Sequence, residues 1–390
     1  MERIILHIDV NNAFLSWTAI DLLRHGYKTD IRNIPAVIGG DKKERKGIVL
    51  AKSTPAKKLG INTPEPIYFA LKKYPKLQVF PPNYKWYQYM SNKLFTYLQS
   101  FTNEIEIFSI DECFLDYTSI KHIYGNELEF AKKISNYIKT NLKFTVNIGI
   151  ANNKLCAKMA SDFSKPDKIH TLYDYEVKTK MWPLQVDDLL WIGRKTSEKL
   201  HQLKIDTIGD LANADVYFLT KYFKNNAVRM IESANGIDES KVDYSERIEK
   251  GISNEITVIE DLTNKKDIYN ALLPVIDKVS LRLRKQNRFA STIAIILKDK
   301  SFKRISHQKK LVNPTNNTDE IKKIINELLN EMGELEPIRL VGVRLDNLTD
   351  NLYRQFSIFD DDKELEKSDK LQKALDNIKE KYGKDLKVKK

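Results

Sequence analysis

Asp111 and Glu112 stand side by side between two apolar runs, and a third carboxylate, Asp9, closes an apolar strand near the amino terminus. Successive residues of a strand face opposite sides of a sheet, so the two neighbours can serve one site only where the backbone turns. The stretch Ser109-Ile110-Asp111-Glu112 therefore belongs at a tight connection. Around it, over residues 104–117, Ile105 and Ile107 and then Cys113 and Leu115 alternate with other residues, the pattern of half-buried strands joined as a hairpin. Brought together, the three carboxylates can hold two divalent metal ions.

The segments on either side predict a mixed α+β core. Residues 4–10 read as an apolar strand, and residues 11–23 as a helix with Asn11 or Asn12 available as its cap. Residues 35–82, rich in Gly, Pro and Lys with short apolar runs, suggest a small, loop-rich subdomain inserted after the first strand. A helix over 127–142, a strand over 145–150 and a helix over 153–163 follow. With 390 residues the chain is longer than one core usually supports, and two or more domains are expected.

Beyond this core, residues 186–190, a turn at Trp191-Ile192-Gly193, a helix over 195–203 and residues 205–211 make a helix-hairpin-helix candidate. Such a turn offers backbone N–H groups to a phosphate without reading sequence, although short helix pairs with a Gly are also common as plain structure. Residues 241–250, charged and poor in bulky aliphatics, read as a linker. From 252 to 348 the order is strand, helix, two strands, helix, strand. The tail beyond Asp350 is highly charged and is expected to be disordered or only partly helical.

The net charge of +12 is concentrated: residues 278–310 carry eleven Lys or Arg against one acid, Asp299. An isolated charge run is usually a solvated face. These charges flank a strand-like 292–297 and include a helix-like 279–284, so a positive surface on a folded module, suited to a polyanion such as nucleic acid, is the sharper expectation. No apolar run approaches the roughly 18 residues of a membrane span, and the amino terminus lacks the apolar segment of a signal peptide. Two cysteines, Cys113 and Cys156, and six scattered His give no zinc pattern and fit a reducing, cytoplasmic compartment.

From about residue 4 to 359 the chain resembles the Y-family, lesion-bypass DNA polymerases, related to bacterial DNA polymerase IV and the UmuC-like proteins. His7-Ile8-Asp9-Val10-Asn11-Asn12-Ala13-Phe14 and Ser109-Ile110-Asp111-Glu112 stand where that family has its two metal-site motifs. The resemblance implies an α+β multidomain, right-hand polymerase. Its palm would span 1–10 and 79–172, its small fingers 11–78, and its helical thumb with the helix-hairpin-helix 173–240. A linker at 241–250, a DNA-binding little finger at 251–350 and a tail at 351–390 would complete it.

The implied activity is error-prone translesion synthesis: deoxynucleotides are joined to a primer 3′-hydroxyl with release of pyrophosphate, without proofreading, using two Mg²⁺ ions. Such an in-line displacement at phosphorus has anionic attacking and leaving oxygens, which two metals stabilise together. By resemblance Asp9, Asp111 and Glu112 are catalytic, and the Val10 carbonyl joins them as a metal ligand. Phe14 would be the steric gate against a 2′-hydroxyl. Lys165, with Thr54 and Lys57, would meet the triphosphate. Ile192, Gly193, Arg282, Arg284, Lys303 and Arg304 would contact DNA. Gln355, Ile358 and Phe359 would anchor the tail on the sliding clamp. The implied partners are primer-template DNA, a dNTP and the clamp, with no membrane, and the protein would be monomeric.

The chain departs from the family pattern at several positions. Thr54 replaces a Tyr, and Lys57 replaces an Arg, keeping the charge but losing the planar fork that grips phosphate. Asn11 stands at a position often Asp, Ala13 at one often aromatic, and Trp191 at one often Gly. Two rivals remain open. A nucleotide cyclase has paired carboxylates on a similar palm but no use for the helix-hairpin-helix, the basic module or the clamp peptide. A non-catalytic or partner-dependent UmuC-like scaffold on the clamp would keep those three and need not keep the carboxylates.

Overall fold

The first strand is apolar on both faces apart from His7 and Asp9, and a strand buried on both sides belongs inside a sheet. The computed structural model, which describes residues 3–40, 47–245 and 248–350 with Ala374 and Lys381, places it there. Two compact units make up the chain, the first within residues 3–245 and the second within 248–350.

The first unit opens with β1 (Ile5–Val10), α1 (Ala13–Arg24), β2 (Ala36–Gly39), β3 (Val49–Lys52), α2 (Thr54–Lys58), α3 (Ile67–Lys73) and β4 (Gln78–Phe80). It continues with α4 (Tyr84–Gln99), β5 (Ile105–Ile107), β6 (Glu112–Asp116), α5 (Lys121–Tyr124), α6 (Glu127–Tyr137), β7 (Val146–Ala151), α7 (Lys154–Asp162) and β8 (Ile169–Leu172). The helices α8 (Arg194–Gln202), α9 (Ile208–Ala212), α10 (Val216–Phe223) and α11 (Asn226–Ala234) close it.

Its main sheet has the order β5-β6-β1-β7-β8. One face packs Leu6, Ile8 and Val10 against α4 and α6; the other sets Ile5 and Phe114 against α7 and the helices that follow. A smaller sheet, β3-β2-β4, carries α2 and α3. Helix α1 joins the two: Trp17 and Ile20 enter the main core, while Leu15 and Ala19 pack with Ala36 and Ile38 of β2.

Two local expectations are corrected. Asn12 does precede α1, but it sits at φ 48 and its side chain caps nothing, because Asn11 and Thr145 pair through their backbones and turn the chain sharply there. Residues 186–190 form only a single 3-10 turn, Val186–Asp188, not a helix. Backbone bonds tie this stretch to a later segment: Val186 N–H donates to the Asp206 carbonyl and Ile208 N–H to that of Leu184. Asp187 is also held by His201 at 2.7 Å, and His201 reaches Asp206 at 2.7 Å with its other nitrogen.

The second unit runs β9 (Gly251–Leu262), α12 (Lys265–Lys285), β10 (Phe289–Asp299), β11 (Arg304–Thr315), α13 (Thr318–Glu331) and β12 (Ile338–Thr349), the order read from the sequence. Its antiparallel sheet, β11-β10-β12-β9, is covered on one face by α12 and α13, which bury Ile293, Ile295 and Leu297. Among the described residues no helix is long and apolar enough to cross a membrane.

Candidate active site

Asp9 lies directly opposite Glu112 in the antiparallel β1–β6 pair, so both side chains leave the same face of the sheet. Asp111 is fixed beside them by a backbone bond, Val10 N–H to the Asp111 carbonyl at 3.0 Å. The turn expected between Asp111 and Glu112 is closed by the Phe108 and Ser109 N–H groups, which both donate to the Glu112 carbonyl, at 3.0 and 3.1 Å. Ser109 Oγ then donates to Asp111 Oδ1 at 2.6 Å. The Ser of the motif thus orients its Asp.

Each carboxylate of the opposed pair has a cationic partner. Lys158, on α7, contacts Glu112 Oε2 at 2.5 Å, and Lys165, just after α7, forms an ion pair with Asp9 and another with Asp162 at 2.8 Å. Burial pushes the Glu112 carboxyl up, but the His7 ring 3.2 Å away and the Lys158 ammonium outweigh it and hold the group down at about 2. Burial leaves Asp9 above its ordinary value, with Lys165 offsetting part of the effect.

Among the described residues no three His, Cys, Asp or Glu side chains close on a common point. The donor set still fits a hard divalent cation: Asp9, Asp111, Glu112 and the Val10 carbonyl offer oxygen alone, at one end of one sheet.

Two amides hold the Lys165 segment against this end of the sheet: Asn11, noted in the sequence only as a possible cap and a departure from the family pattern, and Asn147, which the sequence did not single out. Asn147, opposite Asp9 on β7, donates to the Ser161 and Ser164 carbonyls at 2.8 and 2.6 Å. Asn11 Nδ2 donates to Asn147 Oδ1 at 3.0 Å, while Asn11 Oδ1 accepts from Asp167 N–H at 2.9 Å. An Asp could not supply the first of these bonds, which gives the Asn at this position a physical reason.

Phe14, in the first turn of α1, is half-buried and stacks on Tyr87, with ring centroids 4.7 Å apart and planes at 12°. Tyr84 meets the same ring edge-on at 6.2 Å, and the Tyr87 hydroxyl pairs with Thr18, which also donates to the Phe14 carbonyl. The two tyrosines back the Phe14 ring, one on its face and one at its edge. Thr54 and Lys57 lie exposed on α2, on the smaller sheet and not among the carboxylates. Lys52 stands beside Lys57; burial, then the Lys57 charge, holds it below the usual lysine value.

Gly193 caps α8, Ile192 packs partly against the second core, and Trp191 is 70% exposed. Trp191 has φ 74, in the region that favours glycine, so a Gly is the unstrained residue at this place. In the second unit the four candidate DNA contacts do not form one patch. Register places Arg304 with Lys298, Lys310 and Arg344 on the face opposite the helices, whereas Arg282 and Arg284 lie on α12. Arg282 donates to the Ser253 carbonyl, and Arg284 to Asn316 and Thr318; Lys303 sits in the β10–β11 turn. Gln355, Ile358 and Phe359 lie outside the described residues.

Residues 8–162 match the impB/mucB/samB family, and residues 249–358 match the impB/mucB/samB family C-terminal domain. A DNA polymerase IV of Clostridium acetobutylicum is 46% identical, covering 98% of this chain and 96% of the relative. DNA polymerase IV 1 of Bacillus subtilis is 33% identical, covering 99% of this chain and 92% of the relative. Among solved structures, a Y-family DNA polymerase chimera matches with a TM-score of 0.79 at 25% identity, covering 89% of this chain and all of that one.

Proposed function

The chain belongs to the impB/mucB/samB family, the Y-family DNA polymerases, and on that premise we propose how its own residues carry out template-directed translesion DNA synthesis. It is a DNA-directed DNA polymerase, acting on DNA and dNTPs and dependent on divalent metal. The supporting observation is the pairing that gathers Asp9, Asp111 and Glu112 at one end of the main sheet.

In this reading Asp9 and Asp111 would hold both ions, the Val10 carbonyl would join them for the one that serves the nucleotide, and Glu112 for the one that serves the primer end. Two Mg²⁺ ions, when bound, stabilise the attacking and leaving oxygens of the displacement. Ser109 keeps Asp111 aimed, and Phe14, backed by Tyr87, stands against the sugar so that a 2′-hydroxyl has no room. Lys165 exchanges Asp9 for the triphosphate and stabilises the departing pyrophosphate. Thr54 and Lys57, with Lys52, supply the remaining phosphate contacts.

The same reading assigns the palm to 1–10 and 79–172, the fingers to 11–78 and the thumb to 173–240, with Ile192 and Gly193 on a DNA phosphate. The linker is 241–250. The second unit is the little finger, which meets DNA through the face bearing Lys298, Arg304 and Arg344. The tail peptide with Gln355, Ile358 and Phe359 docks on a sliding clamp. The protein acts as a cytoplasmic monomer without proofreading.

The test is primer extension with purified protein and Mg²⁺. Asp111→Ala should lower kcat at least about a thousandfold, the several kcal/mol that a lost metal ligand removes from transition-state stabilisation. Extension by that variant within about tenfold of the unmutated rate overturns the assignment. A lack of synthesis by the unmutated chain, even with clamp, favours the scaffold.

A further inference from the structure

Asn147 is fully buried and Asn11 nearly so, and between them they reach the main chain on both sides of Lys165. Before it, Asn147 Nδ2 donates to the Ser161 and Ser164 carbonyls at 2.8 and 2.6 Å. After it, Asp167 N–H donates to Asn11 Oδ1 at 2.9 Å and Lys168 N–H to Asn147 Oδ1 at 3.3 Å. Asn11 Nδ2 joins the amides by donating to Asn147 Oδ1, and Asn11 Oδ1 takes a further bond from the Thr145 hydroxyl.

Asn147 thus uses both protons and both lone-pair positions of its amide. A carboxylate in its place could not donate, and a hydroxyl has one proton where two carbonyls wait. The partners also fix which way each amide faces, since turning either one over would set N–H against N–H and oxygen against oxygen. The pair stands on the strands that carry the carboxylates: register puts Glu112, Asp9 and Asn147 in one row across β6, β1 and β7, and Asn11 N–H donates to the Thr145 carbonyl at 3.0 Å. Ser164, Lys165 and Pro166 are themselves exposed, so burial does not hold these three residues.

We propose that Asn11 and Asn147 form a positioning clasp for Lys165: they hold the main chain on both sides of it, so that the ammonium turns from Asp9 to the triphosphate with its backbone already in place. In the structure Lys165 pairs with Asp9 and Asp162. A lysine whose main chain is fixed gives up less freedom on meeting phosphate, which is the gain from preorganisation. Both amides are buried and bonded within the protein, so they are positioning residues and not nucleotide contacts. The inference rests on the polymerase reading, in which Lys165 meets the triphosphate.

Two measurements test it, and the first needs no catalysis. Hydrogen exchange at the Asp167 N–H of the full chain should be slow, and at least about tenfold faster in Asn11→Ala, which removes its acceptor. Exchange at the rate of an unstructured peptide in the unmutated chain, or no change in the variant, overturns the clasp. This result is independent of activity, whereas extension by the unmutated protein tests the polymerase reading by itself.

The second measurement is a double-mutant cycle on single-nucleotide incorporation. Asn147→Ala should raise the KM for dNTP about tenfold or more, as a misplaced binding group does, while the Kd for primer-template stays within about twofold. In the Lys165→Ala protein the same change should alter that KM less than about twofold, because the group it positions is gone. An unmoved KM, an equal factor in both backgrounds, or a matching loss of DNA affinity marks a merely structural residue and overturns the proposal. Should Asn147→Ala fail to fold, Asn11→Ala, which leaves both carbonyl bonds of Asn147 in place, carries the same cycle with the same expected direction.

Discussion

Gly149→Ala adds one methyl group where α7 lies too close to the sheet to accept it. A Cβ built on Gly149 would stand 1.9 Å from the Ala157 carbonyl oxygen and 2.6 Å from the Ser161 nitrogen, and real Cβ contacts stay beyond 3.0 Å. Both atoms are backbone, so no rotamer change relieves the overlap. The helix must retreat, and moving the first contact from 1.9 to 3.0 Å takes about 1.1 Å. A shift of that size along the 2.8 Å Ser161–His7 bond opens it to about 3.9 Å, beyond hydrogen-bond reach.

Overpacking of this kind costs about 1–3 kcal/mol, and a lost buried hydrogen bond about 1 more. For a unit of this size that lowers Tm by roughly 5–15 °C. Calorimetry on the full chain should show the first unit's transition fall and the second's stay. Because Lys158 and Ser161 ride on α7 and Lys165 follows it, kcat/KM for primer extension should drop at least about tenfold, the 1.4 kcal/mol expected of a modest misplacement. Gly333→Ala, with open space around the new methyl, is the control and should melt within about 1 °C of the unmutated chain. A Gly149→Ala protein that melts with that control and extends primers at full rate would refute the seating of α7 on a bare backbone.

Phe14→Ala removes the half-buried ring stacked on Tyr87 and should lower discrimination against ribonucleotides at least about tenfold in single-nucleotide assays; an unchanged ribose preference removes the gate assignment. His201 is raised above its ordinary pKa by hydrogen bonds to Asp206 and Asp187, so the stability it lends is fully present below about pH 6.5 and is lost as pH rises through the folded value. Melting of His201→Gln should therefore trail the unmutated protein most at about pH 6 and converge with it in alkali, and an equal gap at both ends contradicts the staple. Lys298→Ala should weaken DNA binding and reduce the slope of log affinity against log salt by about 1, while Arg282→Ala on α12 leaves that slope alone; the reverse pattern would put DNA on the helical side.

The proposed metal ligands could be singled out in the chain, Asp9 at a strand end and Asp111-Glu112 at a turn, and the hairpin around them needs only alternation to be seen. An isolated Asp-Glu pair more often decorates a turn, so their proposed role came from the resemblance of the whole motif. The second unit's order of strands and helices was legible because each element's period is written in its own residues. The helix expected at 186–190 was not: only Val186–Asp188 turns, and the stretch is tied by backbone bonds to residues 206–208, a partner that local pattern does not reveal. Arg282, Arg284 and Arg304 read as one basic stretch, yet a sheet divides them between two faces.

What the sequence determined by itself is the donor set and the likeness of its motifs, since side-chain chemistry travels with the residue. What only the tertiary structure decided is which groups meet. His7 and Ser161 are 154 residues apart, and Phe14 finds Tyr87 only after α1 docks on α4. Gly149 matters only because a helix backbone passes 1.9 Å from where its Cβ would be. Such contacts arise from the packing of separate elements, whose distances no spacing along the chain records.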